Sequence, residues 1–336
     1  MRPLVALLIL LALAGAGDAR AAAVPASWDR GFVLTAFWHD QYAGFETATS
    51  LRELRVLGAN AVALIATWYQ PALDSSVVSP DPLRTPSDES IVRAARAAKG
   101  QGMKVMLRLV IDTESGESRT AIAPRLPGLW FETYAGMVDR YARLAQSADV
   151  DALQIGVELS SLTNGWETSW RSLVRRVRTR FDGELSYGAN WDEFQRLRWW
   201  DAVDAIAVDA YFPLAADERP RSEEEIVQAW TATVDELAAV QRRFARPVIF
   251  SEIGYASTEG NLVEPWRTDG RYSPEAQVRA TNAAFRAFTD QPWFRGMYFW
   301  QWHPAIGAGG PGDTDHTPEG KPAARAIASW FGGGRS

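Results

Sequence analysis

The sequence of 336 residues contains no cysteine, which excludes disulfide bonds, thiolate zinc sites and thiol nucleophiles. Histidine is scarce as well, with three residues at positions 39, 303 and 316, so a His-rich metal centre is not expected. Basic residues number 35 against 41 acidic ones, and the net charge is −6. Nucleic-acid binding needs a dense face of Lys and Arg. We therefore predict no metal, no cofactor and no nucleic-acid partner.

No internal repeat, low-complexity tract or Pro/Ser-rich linker divides the sequence, so we predict one domain. Tryptophan is the residue in excess, with 15 copies beside 9 Tyr and 14 Phe. The tryptophans in or beside helical stretches are expected in the core. They are Trp170, Trp199, Trp200, Trp230 and Trp330. The remaining surplus favours contacts with sugars or other flat ligands.

The N-terminal residues have the pattern of a secretory signal peptide. Arg2 precedes an apolar run over residues 4–14, and small residues follow as far as Ala23. The run is shorter than the about 20 apolar residues that span a bilayer, although an uncleaved anchor is the alternative interpretation. Ala-x-Ala sequences at 19–21 and 21–23 place the mature start near residue 22 or 24. We predict a signal peptide at 1–23, a catalytic domain at 24–336, secretion or periplasmic export, and a monomer without membrane contact after cleavage.

Short apolar runs alternate with longer stretches that have helical periodicity. The runs are continuous, as expected of strands covered on both faces by helices. Eight βα units over roughly 300 residues are typical of an α/β fold, a single (β/α)8 TIM barrel, and a doubly wound open sheet is the competing fold. The predicted strands are 31–37, 61–66, 104–110, 152–157, 184–187, 205–208, 247–251 and 296–300. The predicted helices include 47–57, 87–101, 130–145, 166–180, 222–244 and 274–288.

The ends of these strands carry polar and aromatic side chains, and in such a barrel the catalytic residues lie there. Glu158 directly follows the fourth predicted strand, and Glu252 ends the seventh. Strands four and seven lie on opposite sides of an eight-stranded barrel, so we expect the two carboxyl groups to face each other. The other candidates at strand ends are Trp38, Trp68, Asp112, Asn190, Trp191, Tyr211, Trp300 and Trp302.

Two facing carboxyl groups suit the cleavage of a glycosidic bond. One protonates the departing oxygen, and the other stabilises or attacks the anomeric carbon. When it attacks directly, the groups lie about 5–5.5 Å apart and configuration is retained. Indole faces supply platforms for a pyranose ring, so we expect a polysaccharide or oligosaccharide substrate. The alternatives are buried glutamates that only pair with arginines, or a non-catalytic carbohydrate-binding barrel.

Two segments resemble those that carry the catalytic glutamates of clan A retaining glycosidases. They are residues 153–159 (LQIGVEL) and 247–255 (PVIFSEIGY). Within that clan the sequence is most similar to glycoside hydrolase family 113, known for β-1,4-mannanases. The likeness runs from about residue 31 to 330 and includes 58–62 (GANAV), 187–191 (YGANW), 204–211 (DAIAVDAY) and 317–323 (TPEGKPA).

This resemblance implies a secreted endo-β-1,4-mannanase that acts by double displacement, with Glu158 as acid/base and Glu252 as nucleophile. It also implies that Tyr211 hydrogen-bonds the nucleophile and that Trp300 forms the floor of the subsite where the bond breaks. Asp112 and Arg119 fall where the family's loop after strand three often has an Asp and an Arg.

One position departs from the clan pattern. Clan members commonly have Asn before the acid/base, where it holds the sugar 2-hydroxyl, and this sequence has Val157 there. Valine cannot form that hydrogen bond, so either Asn190 or His39 supplies the contact, or the preferred sugar differs. The alternative function is therefore a retaining glycosidase that acts on another β-linked polysaccharide, such as an exopolysaccharide.

Overall fold

The computed structural model describes residues 23–305 and 307–332. The signal peptide predicted at 1–23 lies, apart from its last residue, outside the described residues. In the part of the chain that is described, no helix is both long and apolar enough to cross a membrane.

The described residues form a closed barrel of eight parallel strands in sequence order, which confirms the predicted (β/α)8 fold. The strands are β1 (Asp29–Leu34), β2 (Ala61–Gln70), β3 (Lys104–Thr113), β4 (Ala152–Val157), β5 (Glu184–Asn190), β6 (Ala205–Asp209), β7 (Val248–Ile253) and β8 (Phe294–Trp302). The helices are α1 (Phe45–Val56), α2 (Asp88–Lys99), α3 (Pro127–Ser147), α4 (Ser160–Thr163), α5 (Glu167–Arg178), α6 (Glu223–Phe244), α7 (Pro274–Phe288) and α8 (Pro322–Phe331).

The strands are apolar on both faces because each face is buried in a different layer. Small and branched side chains such as Ala63, Ala207 and Ile249 fill the barrel interior together with the ring of Tyr298. Gly31 makes room for that ring, since a Cβ atom there would lie 2.2 Å from Tyr298 Cδ1. Larger side chains fill the layer between the barrel and its helices.

The tryptophans expected in the core lie in this outer layer. Trp170, Trp199, Trp200 and Trp230 are fully buried, and Trp170 stacks on Trp199 with ring centroids 5.1 Å apart. Trp330 is half-buried against the same layer. These indoles pack between the barrel and its helices. They do not lie at the C-terminal mouth, where the side chains at the strand ends are found.

Candidate active site

A cavity of about 540 Å³ opens at the C-terminal mouth of the barrel. Its volume lies within the range of about 300–1,000 Å³ that is usual for small-molecule sites. Most of the predicted site residues converge on it. The cavity is lined by Ser118, Arg119, Thr120, Glu158, Asn190, Trp191, Asp192, Tyr211, Glu252, Trp266, Trp300 and His316.

Glu252 lies on β7, and donors hold both of its carboxylate oxygens. The hydroxyl of Tyr211 donates to Oε2 over 2.9 Å, and the guanidinium of Arg108 forms an ion pair with Oε1 over 2.8 Å. Arg108 comes from β3 and is completely buried inside the barrel. It also pairs with Asp209 and donates to the carbonyl oxygen of Ser251. These contacts leave the Glu252 side chain 10% exposed, facing the cavity.

Glu158 directly follows β4 and has a left-handed backbone conformation, with φ +51°. This conformation is uncommon for residues other than glycine. The backbone N–H of Glu158 donates to the carbonyl oxygen of Gly188 over 2.7 Å. Arg119 donates to the Oε2 atom of Glu158 over 2.9 Å, and Asp112 in turn pairs with Arg119 over 2.6 Å. The Oε1 atom of Glu158 has no hydrogen-bond partner among the described residues, so it is free to carry a proton.

Burial raises the pKa of both carboxyl groups above the ordinary value for glutamate. The charge of Asp209 raises both pKa values further, while Arg119 lowers the pKa of Glu158 and Arg108 lowers that of Glu252. The charge of Glu158 also raises the pKa of Glu252. The pair therefore retains a proton at pH values where isolated glutamates have lost theirs. We place this proton on Glu158, because donors already occupy both oxygens of Glu252.

Indole rings form part of the cavity wall. Trp191 follows β5 and stacks in parallel on Trp266, with ring centroids 6.2 Å apart and planes 9° apart. Trp300 lies on β8 and is half-buried. These faces offer the apolar platforms that a pyranose ring requires.

Trp266 and His316 line the cavity although they were not predicted. Trp266 lies far beyond the end of β7, on the loop that leads to α7, so reading the strand ends does not reach it. His316 is held by the carbonyl oxygen of Pro265, which accepts from its Nε2 over 2.7 Å. Its ring packs edge-on against Tyr211. The position of His316 next to the segment 317–323 is the signal that could have identified it.

Several predicted substrate-binding residues lie elsewhere. Trp38 is exposed and lines a separate surface cavity beside Phe45. Trp68 donates to the hydroxyl of Tyr141 and packs against the outer layer. Asp112 is absent from the cavity lining and acts on the site through Arg119.

The expectation that Trp302 contacts a ligand is corrected by its position. Trp302 is 4% exposed, and its ring packs edge-on against Phe32 in the outer layer, 5.5 Å between centroids. A tryptophan at a strand end can face either the mouth or the helix layer, and the sequence does not distinguish the two.

Val157 is buried inside the barrel and does not line the cavity. Of the two residues considered for contact with the sugar 2-hydroxyl, Asn190 lines the cavity, where its amide donates to Asp192 over 2.9 Å. His39 is exposed outside the cavity, with Nδ1 3.1 Å from the carbonyl oxygen of Thr85. Asn190 is therefore the better placed of the two. Across residues 23–305 and 307–332, no three or more His, Cys, Asp or Glu side chains form a group that could hold a metal ion.

Comparison with known protein families gives a match to Glycoside Hydrolase Family 113 over residues 32–317. None of the curated proteins matches the sequence.

Solved structures show the same architecture. The GH113 β-mannanase AaManA from Alicyclobacillus acidocaldarius, in complex with ManMIm, is 27% identical, and the match covers 91% of this chain and 97% of that one with a TM-score of 0.82. A GH113 β-1,4-mannanase complex is 21% identical over 91% and 99% of the chains, also with a TM-score of 0.82. A Ruminococcus gnavus β-glucuronidase is 14% identical over 90% and 50%, with a TM-score of 0.64. At 21% and 14% identity, the likeness shows the barrel fold alone.

Proposed function

The chain belongs to glycoside hydrolase family 113, and from this premise we propose that it is a secreted endo-β-1,4-mannanase that cleaves its substrate by double displacement. Family membership makes it a glycoside hydrolase with a carbohydrate substrate. The observation that carries the proposed mechanism is the arrangement of Glu158 and Glu252 on one cavity, with Glu252 fixed by Tyr211 and Arg108.

The first step forms a covalent bond between a carboxylate oxygen of Glu252 and the anomeric carbon of the sugar. The bond from that carbon to the glycosidic oxygen breaks, and Glu158 gives its proton to the departing oxygen. Glu252 is ready to attack because Tyr211 and Arg108 hold its oxygens as an ionised carboxylate. Glu158 is ready to donate because burial raises its pKa and Arg119 occupies only its Oε2 atom.

The second step releases the sugar from Glu252. Once Glu252 is esterified its negative charge is gone, so the pKa of Glu158 falls and its carboxylate can accept a proton from water. As the water gives this proton to Glu158, its oxygen attacks the anomeric carbon from the face that the leaving group occupied. The bond to Glu252 breaks, and the carboxylate returns to its ion pair with Arg108.

The choice of mannan rests on the family and on the AaManA structure, whose protein is named a β-mannanase. Val157 favours a second candidate, a retaining glycosidase on another β-linked polysaccharide, because the usual amide partner of the 2-hydroxyl is missing before the acid/base. Asn190 lines the cavity, which supports the proposal that its amide supplies this contact instead.

Secretion is proposed from the N-terminal pattern of a basic residue, a short apolar run and Ala-x-Ala sequences. The enzyme would then meet its polymer outside the cytoplasm. N-terminal sequencing of the exported protein tests this proposal: a start near residue 22 or 24 supports it, and a start at Met1 contradicts it.

The substrate is tested by measuring reducing ends released from mannan, glucomannan, xylan, cellulose and chitosan oligomers. The wild type is compared with Glu252→Gln, which keeps the shape but not the nucleophile, and with Glu236→Gln on the exposed face of α6 as control. We expect release from mannan by the wild type and the control, and none by Glu252→Gln. Release from another polymer alone would favour the second candidate, and binding without release would contradict catalysis.

A further inference from the structure

A second buried glutamate, Glu193, lies behind the active site. Its side chain is fully buried, and it forms no ion pair with any described residue. Four donors satisfy its carboxylate instead. Oε2 accepts from the hydroxyl of Ser160 and the backbone N–H of Asn190, and Oε1 accepts from the hydroxyls of Thr163 and Tyr187, at distances of 2.9, 3.0, 2.6 and 3.1 Å. Burying a carboxyl group costs free energy unless it is fully hydrogen-bonded, so the complete set of donors around Glu193 indicates a specific structural role.

The four donors belong to the two segments that hold Glu158. Ser160 and Thr163 lie on α4, which begins two residues after Glu158, and Tyr187 and Asn190 lie on β5. Glu193 therefore connects the chain just beyond the acid/base to the neighbouring strand. Asn190 also lines the cavity, so the connection reaches the substrate side.

The same network reaches the backbone of Glu158. The hydroxyl of Tyr187 donates to Glu193 and accepts from the backbone N–H of Leu159 over 2.7 Å. The N–H of Glu158 itself donates to Gly188 on β5. Glu158 has the positive φ of +51°, a conformation that persists only where the surroundings impose it. The bonds around Glu193 and Tyr187 supply that constraint.

We infer that Glu193, acting through Tyr187, Ser160 and Thr163, is a positioning residue that holds the acid/base Glu158 in its left-handed backbone conformation and so aims its carboxyl group at the leaving oxygen. The inference rests on the proposed function, because it assumes that Glu158 is the acid/base. It concerns the proton-transfer steps specifically, since Glu252 is held separately by Arg108 and Tyr211.

If Glu193 positions Glu158, its loss should slow only the steps in which Glu158 transfers a proton. A misplaced acid slows the cleavage of a polysaccharide, whose leaving group needs a proton. It leaves formation of the covalent intermediate from a 2,4-dinitrophenyl glycoside intact, because dinitrophenolate departs without protonation. It also slows attack of water on the intermediate, and an external anion such as azide bypasses that step because it needs no general base.

Three variants test the inference. Glu193→Ala removes all four bonds, and Tyr187→Phe removes only the hydroxyl that joins Glu193 to Leu159. Glu193→Gln is the conservative variant. Its amide oxygen can accept from Asn190 and Ser160, while its NH2 group donates to the hydroxyls of Thr163 and Tyr187. Tyr42→Phe is the matched control, because the Tyr42 hydroxyl also donates to a carbonyl, that of Leu34, and accepts a backbone N–H, that of Ile65, but does so on β1 and β2.

The experiment measures kcat/KM on the polysaccharide and on a 2,4-dinitrophenyl β-oligosaccharide of the sugar that the wild type cleaves, with and without azide, alongside thermal melting. We expect Glu193→Ala and Tyr187→Phe to lose about 100-fold on the polysaccharide, the scale of a small misplacement of a reacting group. Their kcat/KM on the dinitrophenyl substrate should be unchanged, and azide should raise their kcat on it. Glu193→Gln and Tyr42→Phe should show neither effect.

An equal loss on both substrates, or no loss on either, would overturn the positioning role. Should Glu193→Ala fail to fold, Tyr187→Phe alone decides between these outcomes. Glu158→Ala is the reference for the proposed function. If that variant lacks the selective loss and the azide effect, the proposed acid/base assignment fails, whereas a positive result there with a negative result for Tyr187→Phe overturns the inference alone.

Discussion

Arg108 controls the electrostatics of the site at the scale of single residues. Its guanidinium is fully buried between the carboxylates of Asp209 and Glu252, and the hydroxyl of Ser251 also donates to Asp209. The single positive charge of Arg108 thus pairs with two carboxylates, and Glu158 is a third acidic group nearby. Burial and the charge of Asp209 raise the pKa of Glu252, and Arg108 opposes them by lowering it.

Replacing Arg108 by Met should lower the free energy of unfolding by about 3–5 kcal/mol, because it leaves buried carboxylates without their partner. It should also move the acid limb of the kcat/KM profile to higher pH, since the pKa of Glu252 rises when Arg108 no longer lowers it. Urea unfolding and a pH profile measure the two effects. An unmoved acid limb would show that Arg108 does not act on the nucleophile; Arg125→Met, at an exposed ion pair with Asp74, is the control.

Trp266 should contribute to substrate binding rather than to the chemical step. Trp266 forms part of the cavity wall with Trp191, and it forms no hydrogen bond with Glu158 or Glu252. Trp266→Ala should raise KM and leave kcat nearly unchanged, because it removes a contact made equally in the ground and transition states. Trp38→Ala, at the separate surface cavity, should change KM less. A larger increase in KM for Trp38→Ala than for Trp266→Ala would indicate that the main sugar-binding surface lies in that separate cavity.

The residues at strand ends predicted much of this cavity, because a barrel brings the C-terminal ends of its strands together whatever path the loops take. Strand ends alone predicted that Glu158, Glu252, Tyr211 and Asn190 meet at one mouth, and all four line the cavity. Trp266 could not be predicted in this way, since it depends on the path of a long loop. Arg108 could not be predicted either, because it lies within an apolar strand and its charge is explained only by neighbours from β6 and β7.

At the scale of elements, the main differences from prediction are at strand ends. β2 and β3 continue several residues beyond their predicted ends and stay paired in register from Ala61 opposite Lys104 to Gln70 opposite Thr113. The polar residues there suggested loops, but they pair as strand and carry Trp68 towards the helix layer. Helix α8 lies outside the predicted set. It is short and begins with Pro322 at its first position.

Helix α6 is the element whose start is best explained by local chemistry. Ser222 accepts from the N–H of Glu225, and the Glu225 side chain accepts from the N–H of Ser222, which is a complete capping box. Ser222→Ala should therefore lower the free energy of unfolding by about 1 kcal/mol and leave kcat unchanged, while Ser222→Asp should retain the stability. Denaturant unfolding measures both; equal stability of the two variants would show that the cap contributes nothing.

At the scale of the whole molecule, buried carboxyl groups make stability depend on pH. Burial raises the pKa of Glu193 to about 7, from an ordinary value of 4.5, and also raises the pKa values of Glu158 and Glu252. A carboxyl with a raised pKa binds its proton more tightly in the folded state. Its stabilisation is complete below about pH 4.5 and is lost as the pH rises through the raised value.

We therefore expect the free energy of unfolding to fall between about pH 4.5 and pH 7 and above. Glu252→Gln should reduce this slope, because it removes one of the two carboxyl groups that share the retained proton, and it should melt at a higher temperature than the wild type at pH 8. Melting curves across this range provide the measurement. Stability that rises with pH in the same window would contradict the raised pKa values of these buried carboxyl groups.

The central claim concerns the whole molecule, since it requires glutamates at the ends of β4 and β7 to act on one glycosidic bond, Glu252 at the anomeric carbon and Glu158 at the departing oxygen. NMR of the reaction in progress reports the configuration of the newly formed reducing end before mutarotation. Double displacement at a β-linkage predicts that the β anomer forms first and that the α anomer grows in later. First appearance of the α anomer would mean a single displacement by water, and Glu252 could not then be the nucleophile.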